Sequence, residues 1–319
     1  MIPPACPVLP HLAQPRSRLR LNSGLVCLAL SLLAPAGLSG LAGLVPATLS
    51  PTHGPSRPDL FLSADRLSDA DAIVAASVGS PASYERIGRT LQAAFPWAID
   101  GWDSLSPGGR LRLVGGRSFV LDDRRPKTRR QLFAEADIQD MFILDYPVGG
   151  PATAPPAWSD PGRYRCTAFL EALYGESPAA VQANLVSVAW MDHVLPFNAR
   201  QCAAQALSAA CRDLAARPDL APFLRQPGGS FNWRVVAGTS TLSPHAFGIA
   251  LDVNVALSNY WRDYATDEAA VLTWTNRIPP DLVAIMEAHG FIWGGRWYHF
   301  DTMHFEYRPE LLLWAKLGH

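Results

Sequence analysis

Two short stretches of this chain carry residues able to do chemistry together. The first is Ser243-Pro244-His245-Ala246-Phe247-Gly248-Ile249-Ala250-Leu251-Asp252, and the second, some fifty residues on, is Asp301-Thr302-Met303-His304. His245, Asp252 and His304 offer two imidazoles and a carboxylate to one divalent metal. Three protein ligands leave a tetrahedral ion one open position for water. Asp301, three residues before the last imidazole, is a second carboxylate that can take a proton from that water. This donor set suits Zn2+. Two imidazoles are poor ligands for magnesium or calcium.

The local pattern suggests how each residue is placed. If 249–255 is a strand, Ile249, Leu251, Val253 and Val255 face one side, and Ala250, Asp252 and Asn254 the other. Asp252 then points to the smaller, more polar face, while His245 sits on the entering loop, where Gly248 permits a close backbone approach. In a uniformly extended 301–307, Asp301 would share a face with Met303, Phe305 and Tyr307, opposite Thr302, His304 and Glu306. Bringing Asp301 and His304 to one ion therefore requires a turn or bulge beside Asp301.

The chain has eight histidines. His193, His289 and His319 have no neighbour at ligand spacing and read as structural or surface residues. His299, beside Trp297 and Tyr298, reads either as core packing or as a hydrogen-bond donor near the site. No HExxH occurs. Of five cysteines, Cys6 and Cys27 fall in the leader, and the spacing of Cys166, Cys202 and Cys211 fits no zinc knuckle. In an exported protein Cys202 and Cys211 can pair, leaving Cys166 free; the alternative is three buried thiols.

The elements that must hold these residues follow from periodicity. Apolar spacing is helix-like within 66–105, with Ile87, Leu91 and Ala94 in register, and again in 165–174 and 199–216. The latter lines up Ala203, Ala204, Leu207, Ala210 and Leu214. Residues 111–114 and 118–121, around Gly115-Gly116, read as a hairpin. Extended runs are expected at 231–236, 248–255 and 297–307, with a helix at 280–289 stopped by Gly290. Helices first and strands later predict an α+β fold: a small antiparallel sheet carrying the zinc site, packed by helices, with a helical N-terminal extension. The basic run 124–130 reads as a solvated loop.

Formal net charge is −1 over 319 residues, so no overall field favours nucleic acid or an anionic membrane. Arg16, Arg18 and Arg20 precede an apolar run from Gly24 to Leu44, followed by small-residue sites. That pattern reads as an export signal, cleaved or retained, with an N-terminal anchor as the alternative. Residues 46–65 read as a linker. The expected organisation is 1–47 leader or anchor, 48–145 a region of unassigned role, and 146–319 the catalytic domain. The protein is thus expected to be exported, to the periplasm or cell envelope, meeting membrane only through its N-terminal segment.

At Ser243, His245 and Asp252, and again at Asp301 and His304, the chain resembles the zinc D-alanyl-D-alanine carboxypeptidases and L-alanyl-D-glutamate endopeptidases. These are VanY-like, LAS-type metallopeptidases that cut bacterial cell-wall peptides. Phe231-Asn232-Trp233-Arg234 with Gly238-Thr239, and Trp293-Gly294-Gly295, also resemble a branch of that family. The clear likeness covers roughly 225–310. It implies zinc on His245, Asp252 and His304, Asp301 as general base, and irregular backbone at Asp301. It also implies an arginine that holds the scissile carbonyl or a substrate carboxylate, for which Arg234 is the candidate. The implied substrate is a cell-wall peptide cut next to a D-amino acid, by a carboxypeptidase or an endopeptidase. The alternative of a different class is a zinc-stabilised binding or signalling module without catalysis, as in the hedgehog relative of this fold.

Overall fold

The four-stranded sheet that carries the metal-type residues is assembled late in the chain, on helices supplied from both sides. The computed structural model describes residues 73–74, 79–265 and 271–317. The leader at 1–47, the linker at 46–65, and Cys6 and Cys27 lie outside the described residues. In chain order the elements are β1 (Ile73–Val74), α1 (Pro81–Ala94), β2 (Ile99–Asp103), β3 (Arg110–Leu113), β4 (Ser118–Val120), β5 (Lys127–Thr128) and α2 (Arg129–Glu135). There follow α3 (Thr167–Tyr174), α4 (Pro178–Gln182), β6 (Leu185–Trp190), β7 (His193–Asn198), α5 (Ala203–Ala215), α6 (Ala221–Leu224) and β8 (Pro227–Gly229). The chain ends with β9 (Ala250–Asn254), α7 (Pro280–Ala288), β10 (Phe291–Trp293), β11 (His304–Tyr307) and α8 (Pro309–Lys316). The fold is α+β with small antiparallel sheets. No helix among the described residues is long and apolar enough to cross a membrane.

Each helix forms for a local reason. In α1, Ser80 caps the first turn, exchanging hydrogen bonds with Ser83, and Pro81 occupies the first helical position. Tyr84, Ile87, Leu91 and Ala94 form its buried stripe. The helix stops at Phe95, ahead of Pro96, and 99–103 becomes strand β2 rather than continuing the helix-like reading of 66–105. The expected hairpin appears as β3 and β4, paired Arg110↔Val120 through Arg112↔Ser118. In α5 the expected residues Ala203, Ala204, Leu207, Ala210 and Leu214 are the buried ones. In α7 the last turn gives way to Gly290, whose φ of 92° is open to glycine.

The principal sheet runs β10-β11-β9-β8, antiparallel throughout. Its register places His304 directly opposite Asp252, and Gly229 on the other side of Asp252. Ile249, Leu251, Val253, Phe291, Trp293 and Phe305 pack into a continuous core that also takes in α1, α3, α5, α7 and α8. Burying one such side chain contributes about 1.5–3 kcal/mol, so the sheet is rigid beneath the site. At the far edge of this core, the Arg86 guanidinium of α1 lies 3.6 Å over the Trp314 ring of α8.

Several expectations need correction. Residues 231–236 do not form a strand. They fold back on their own continuation, with Val236 N–H donating to Thr241 O and Ser243 N–H to Arg234 O. The edge strand is instead Pro227–Gly229, where an outward-facing edge tolerates proline. In 297–307 only His304–Tyr307 is strand. A hairpin, β6–β7, is present where none was read. Its two-residue turn, Met191-Asp192, carries no glycine, and Met191 itself adopts φ 50°. The basic run is not wholly solvated. Lys127 is buried, its ammonium 2.6 Å from Asp140 and 3.0 Å from both Asp123 and Asp137. Finally, Cys211 is a free thiol, so it is not paired with Cys202. Eight residues of α5 lie between the two and hold them about 13 Å apart, twice the reach of a disulfide at about 7 Å between Cα atoms.

Candidate metal centre

His245 occupies the single turn of 3-10 helix Pro244–Phe247. Ser243 caps this turn through a bond from His245 N–H, and Gly248 ends it at φ 65°. A side chain at Gly248 would also meet Leu185 Cδ2 at 2.6 Å. The imidazole Nδ1 stands 2.8 Å from the Ser230 carbonyl. A carbonyl only accepts, so Nδ1 carries the proton and Nε2 presents its lone pair inward.

Asp252 lies at the centre of β9, and its cross-strand partner His304 opens β11. The His304 Nδ1 faces the other two groups. Its Nε2 points toward Glu306 Oε1 at 4.0 Å. Glu306 is fully buried and ionised, because Arg165 (2.7 Å) and Arg308 (3.7 Å) outweigh the burial that would otherwise raise its pKa. An anion at that position favours a proton on Nε2 and leaves Nδ1 unprotonated.

The three inward atoms form a nearly equilateral triangle. His245 Nε2 and His304 Nδ1 are 3.2 Å apart, His304 Nδ1 and Asp252 Oδ1 3.1 Å, and His245 Nε2 and Asp252 Oδ1 3.3 Å. Corners of a tetrahedron about 2.0–2.1 Å from a zinc ion stand about 3.3 Å from one another. The spacing and the donor chemistry both fit a metal ion of that size, and the three residues form a group that can hold one. Burial alone would raise the Asp252 carboxyl. The neighbouring His245 and His304 imidazoles outweigh it and hold the group below the usual carboxylate range. The same contact raises His304 against its own burial.

Asp301 lies within electrostatic reach of this triangle, on the irregular backbone that the strand pattern demanded. It bridges Tyr260 and donates its N–H to Gly294 O at 3.1 Å. A side chain at Gly294 would lie 2.4 Å from the Asp301 carbonyl, so this approach needs glycine. The chain then turns: His304 N–H returns to Asp301 O at 3.2 Å, and Trp293 Nε1 donates to Thr302 O at 2.8 Å. The strand begins only after the turn, which frees Asp301 from the alternation of β11. Its Oδ1 is buried and has no hydrogen-bond partner. Burial pushes its carboxyl up to about 6; Asp252 acts in the same direction, against His304, His245 and Arg163.

Residues 237–307 match the family model described as D-alanyl-D-alanine carboxypeptidase. The match spans all four residues above and supports a peptidase of this kind. No curated protein and no solved structure matches the chain.

The remaining expected residues lie at the margin. Arg234 is exposed, and its Nη1 bonds only the neighbouring Val235 carbonyl at 3.4 Å. It does lie within electrostatic reach of Tyr260, the bridge partner of Asp301. His299 donates from Nδ1 to Asp160 at 2.7 Å and packs among Trp158, Trp261 and Tyr298, away from the triangle. Trp297 packs on His304 with ring centroids 5.5 Å apart, and Phe247 is core. Sequence reading passed over Glu306, although its place two residues after His304 puts it on the same strand face. It also passed over Arg163, which gives no local signal.

Proposed function

We propose that this chain is an exported zinc metallopeptidase that hydrolyses peptide bonds in bacterial cell-wall peptides, next to a D-amino acid. His245, Asp252 and His304 would hold the zinc. When bound, the ion supplies a Lewis-acid charge that polarises a carbonyl and acidifies water. Asp301 takes the proton of the attacking water on its unpartnered Oδ1 and returns it to the leaving amine nitrogen. Its raised pKa suits both transfers near neutral pH. Arg234, at the rim, is the cation proposed to meet the substrate carbonyl or carboxylate. Residues 146–319 make the catalytic part, and 1–47 the export segment that delivers it to the envelope.

The observation that carries this reading is a half-buried carboxylate, its Oδ1 enclosed without a partner, near a triangle of three metal-type donors. A purely structural zinc would be closed by a fourth protein ligand. Among the described residues no other histidine, cysteine or carboxylate joins the three. This favours the catalytic reading over a purely structural site. Purified peptidoglycan digested with zinc-loaded protein should release peptide fragments identifiable by mass, and chelated protein should release none. Identical digests with and without metal would end the reading.

A further inference from the structure

Asp301 has no strand before it to set its aim, and its Oδ1 has no hydrogen-bond partner. From Trp297 to Met303 the chain forms one isolated bridge, Tyr260 to Asp301, and otherwise bends and turns. Two sets of hydrogen bonds hold this stretch. On one side Trp261 N–H donates to Phe300 O and Thr302 N–H to Asn259 O, both at 2.9 Å. On the other, residues 297–299 are taken up by a loop far upstream. Trp297 Nε1 donates to Pro161 O and Tyr298 N–H to Ser159 O, both at 2.8 Å. Asp160 accepts twice from His299, at Oδ1 from the backbone N–H (2.9 Å) and at Oδ2 from Nδ1 (2.7 Å). Both side chains are buried, Asp160 with 1% and His299 with 4% exposure.

Burial would raise the Asp160 carboxyl, but Arg163 and His299 outweigh it and hold the group below the usual carboxylate range. An ionised carboxylate only accepts, so the imidazole proton sits on Nδ1. The His299 Nε2 is buried without a partner, with the rings of Trp158, Trp261 and Tyr298 centred 5.4, 4.8 and 5.0 Å from its own. Arg163 closes the far side of Asp160 with one long bond, Nη1 to Oδ2 at 3.5 Å. Its guanidinium lies 5.6 Å from the Trp297 ring, which packs on His304. Ring packing alone does not require a buried carboxylate on the imidazole, and burying one is costly unless it is paired. Here the pair fixes the backbone two residues before Asp301. Asp160 itself lies outside residues 237–307, the span that matches the family model.

We propose that Asp160 is a positioning residue: by holding His299 and the backbone that follows, it aims the Asp301 carboxylate at the attacking water. This rests on the peptidase reading above. Asparagine at 160 keeps the shape but offers one acceptor where two are needed. It can hold the His299 N–H or the Nδ1 proton, not both, unless that proton moves to Nε2, where no acceptor stands. Asp160→Asn should therefore lower kcat about tenfold to a hundredfold. The rate is taken per folded, zinc-loaded full chain on muropeptides from purified peptidoglycan, and KM and zinc affinity should stay nearly parental. A merely stabilising contact would lower the melting temperature and leave that kcat unchanged. In the metal-free chain the Asp301 amide should exchange hydrogen about tenfold faster in the variant, while amides in the middle of β9 keep their rates.

A parental kcat in the folded variant overturns the proposal. So does a loss of zinc affinity large enough to account for the fall, since Asp160 would then act on the metal ligands. If the parent cleaves no muropeptide, the peptidase reading fails separately, and exchange decides alone. Faster exchange at Asp301 then upholds its placement by Asp160, and parental exchange ends it. Should Asp160→Asn not fold, His299→Phe carries the test. It keeps a ring among Trp158, Trp261 and Tyr298 but gives Asp160 no imidazole proton. The same selective loss of kcat and the same faster exchange are expected, and parental values are fatal.

Discussion

Replacing Asp301 by asparagine should stabilise the metal-free protein while removing its turnover. In the folded state burial raises this carboxyl from 3.8 to about 6; unfolded, it returns to about 3.9. Between those values the folded protein binds the extra proton, so stability falls as pH rises through about 6. The shift of roughly two units corresponds to about 3 kcal/mol, fully expressed above pH 6 and absent below pH 4. Asparagine keeps the shape but leaves an unpartnered polar group of its own, so the net gain at pH 8 should be about 1–3 kcal/mol. Urea unfolding of chelated parent and variant at pH 5 and pH 8 measures it. The difference between the two proteins reports Asp301 together with its coupling to His304, whose pKa its charge helps to raise. The gap should widen from pH 5 to pH 8 and shrink when zinc is restored, since a cation beside the carboxylate stabilises its charged form. Turnover of the loaded variant should drop about a hundredfold or more, with zinc content unchanged. A gap independent of pH would refute the raised pKa, and a fully active variant would refute the role as base.

His304→Ala should lose zinc, as metal analysis of the purified variant will report. In the parent, zinc affinity should weaken as pH falls, because His304 is more basic than a free imidazole and protons compete for it. Glu306→Gln leaves Arg165 buried without its anion and should cost about 3–5 kcal/mol in urea unfolding. Replacing Glu306 and Arg165 together by methionine should recover most of that loss. Gly248→Ala forces a side chain into a left-handed position against Leu185 and should cost about 1–3 kcal/mol. Because that turn aims His245, zinc affinity should fall with it, as a competing chelator will measure.

Much of the site was legible because it rests on local patterns. The alternation of Ile249, Leu251 and Val253 against Asp252 describes strand β9 as found, and the same alternation forced a break at Asp301, which the turn to His304 supplies. The stripe of Ala203, Ala204, Leu207, Ala210 and Leu214 described α5 for the same reason: period and composition suffice when one face meets one core. Where neighbours decide, the pattern misled. Residues 231–236 have strand-like composition but found no strand to pair with, and Pro227–Gly229 became the edge because β9 had a free side there. Lys127 looked like a surface cation until Asp123, Asp137 and Asp140 closed around it.

From sequence alone came the donor types, the expectation that they converge, the need for an irregular backbone, and the α+β class. These depend on residue chemistry and on spacing within a single element. Only the folded chain decided that His304 stands across from Asp252, that Glu306 with Arg165 backs the imidazole, that Asp301 Oδ1 is buried without a partner, and that Arg163 comes within one ring of the site. Each of those is a contact between segments distant in sequence. Such contacts are selected by which surfaces bury together, and no local period encodes that choice.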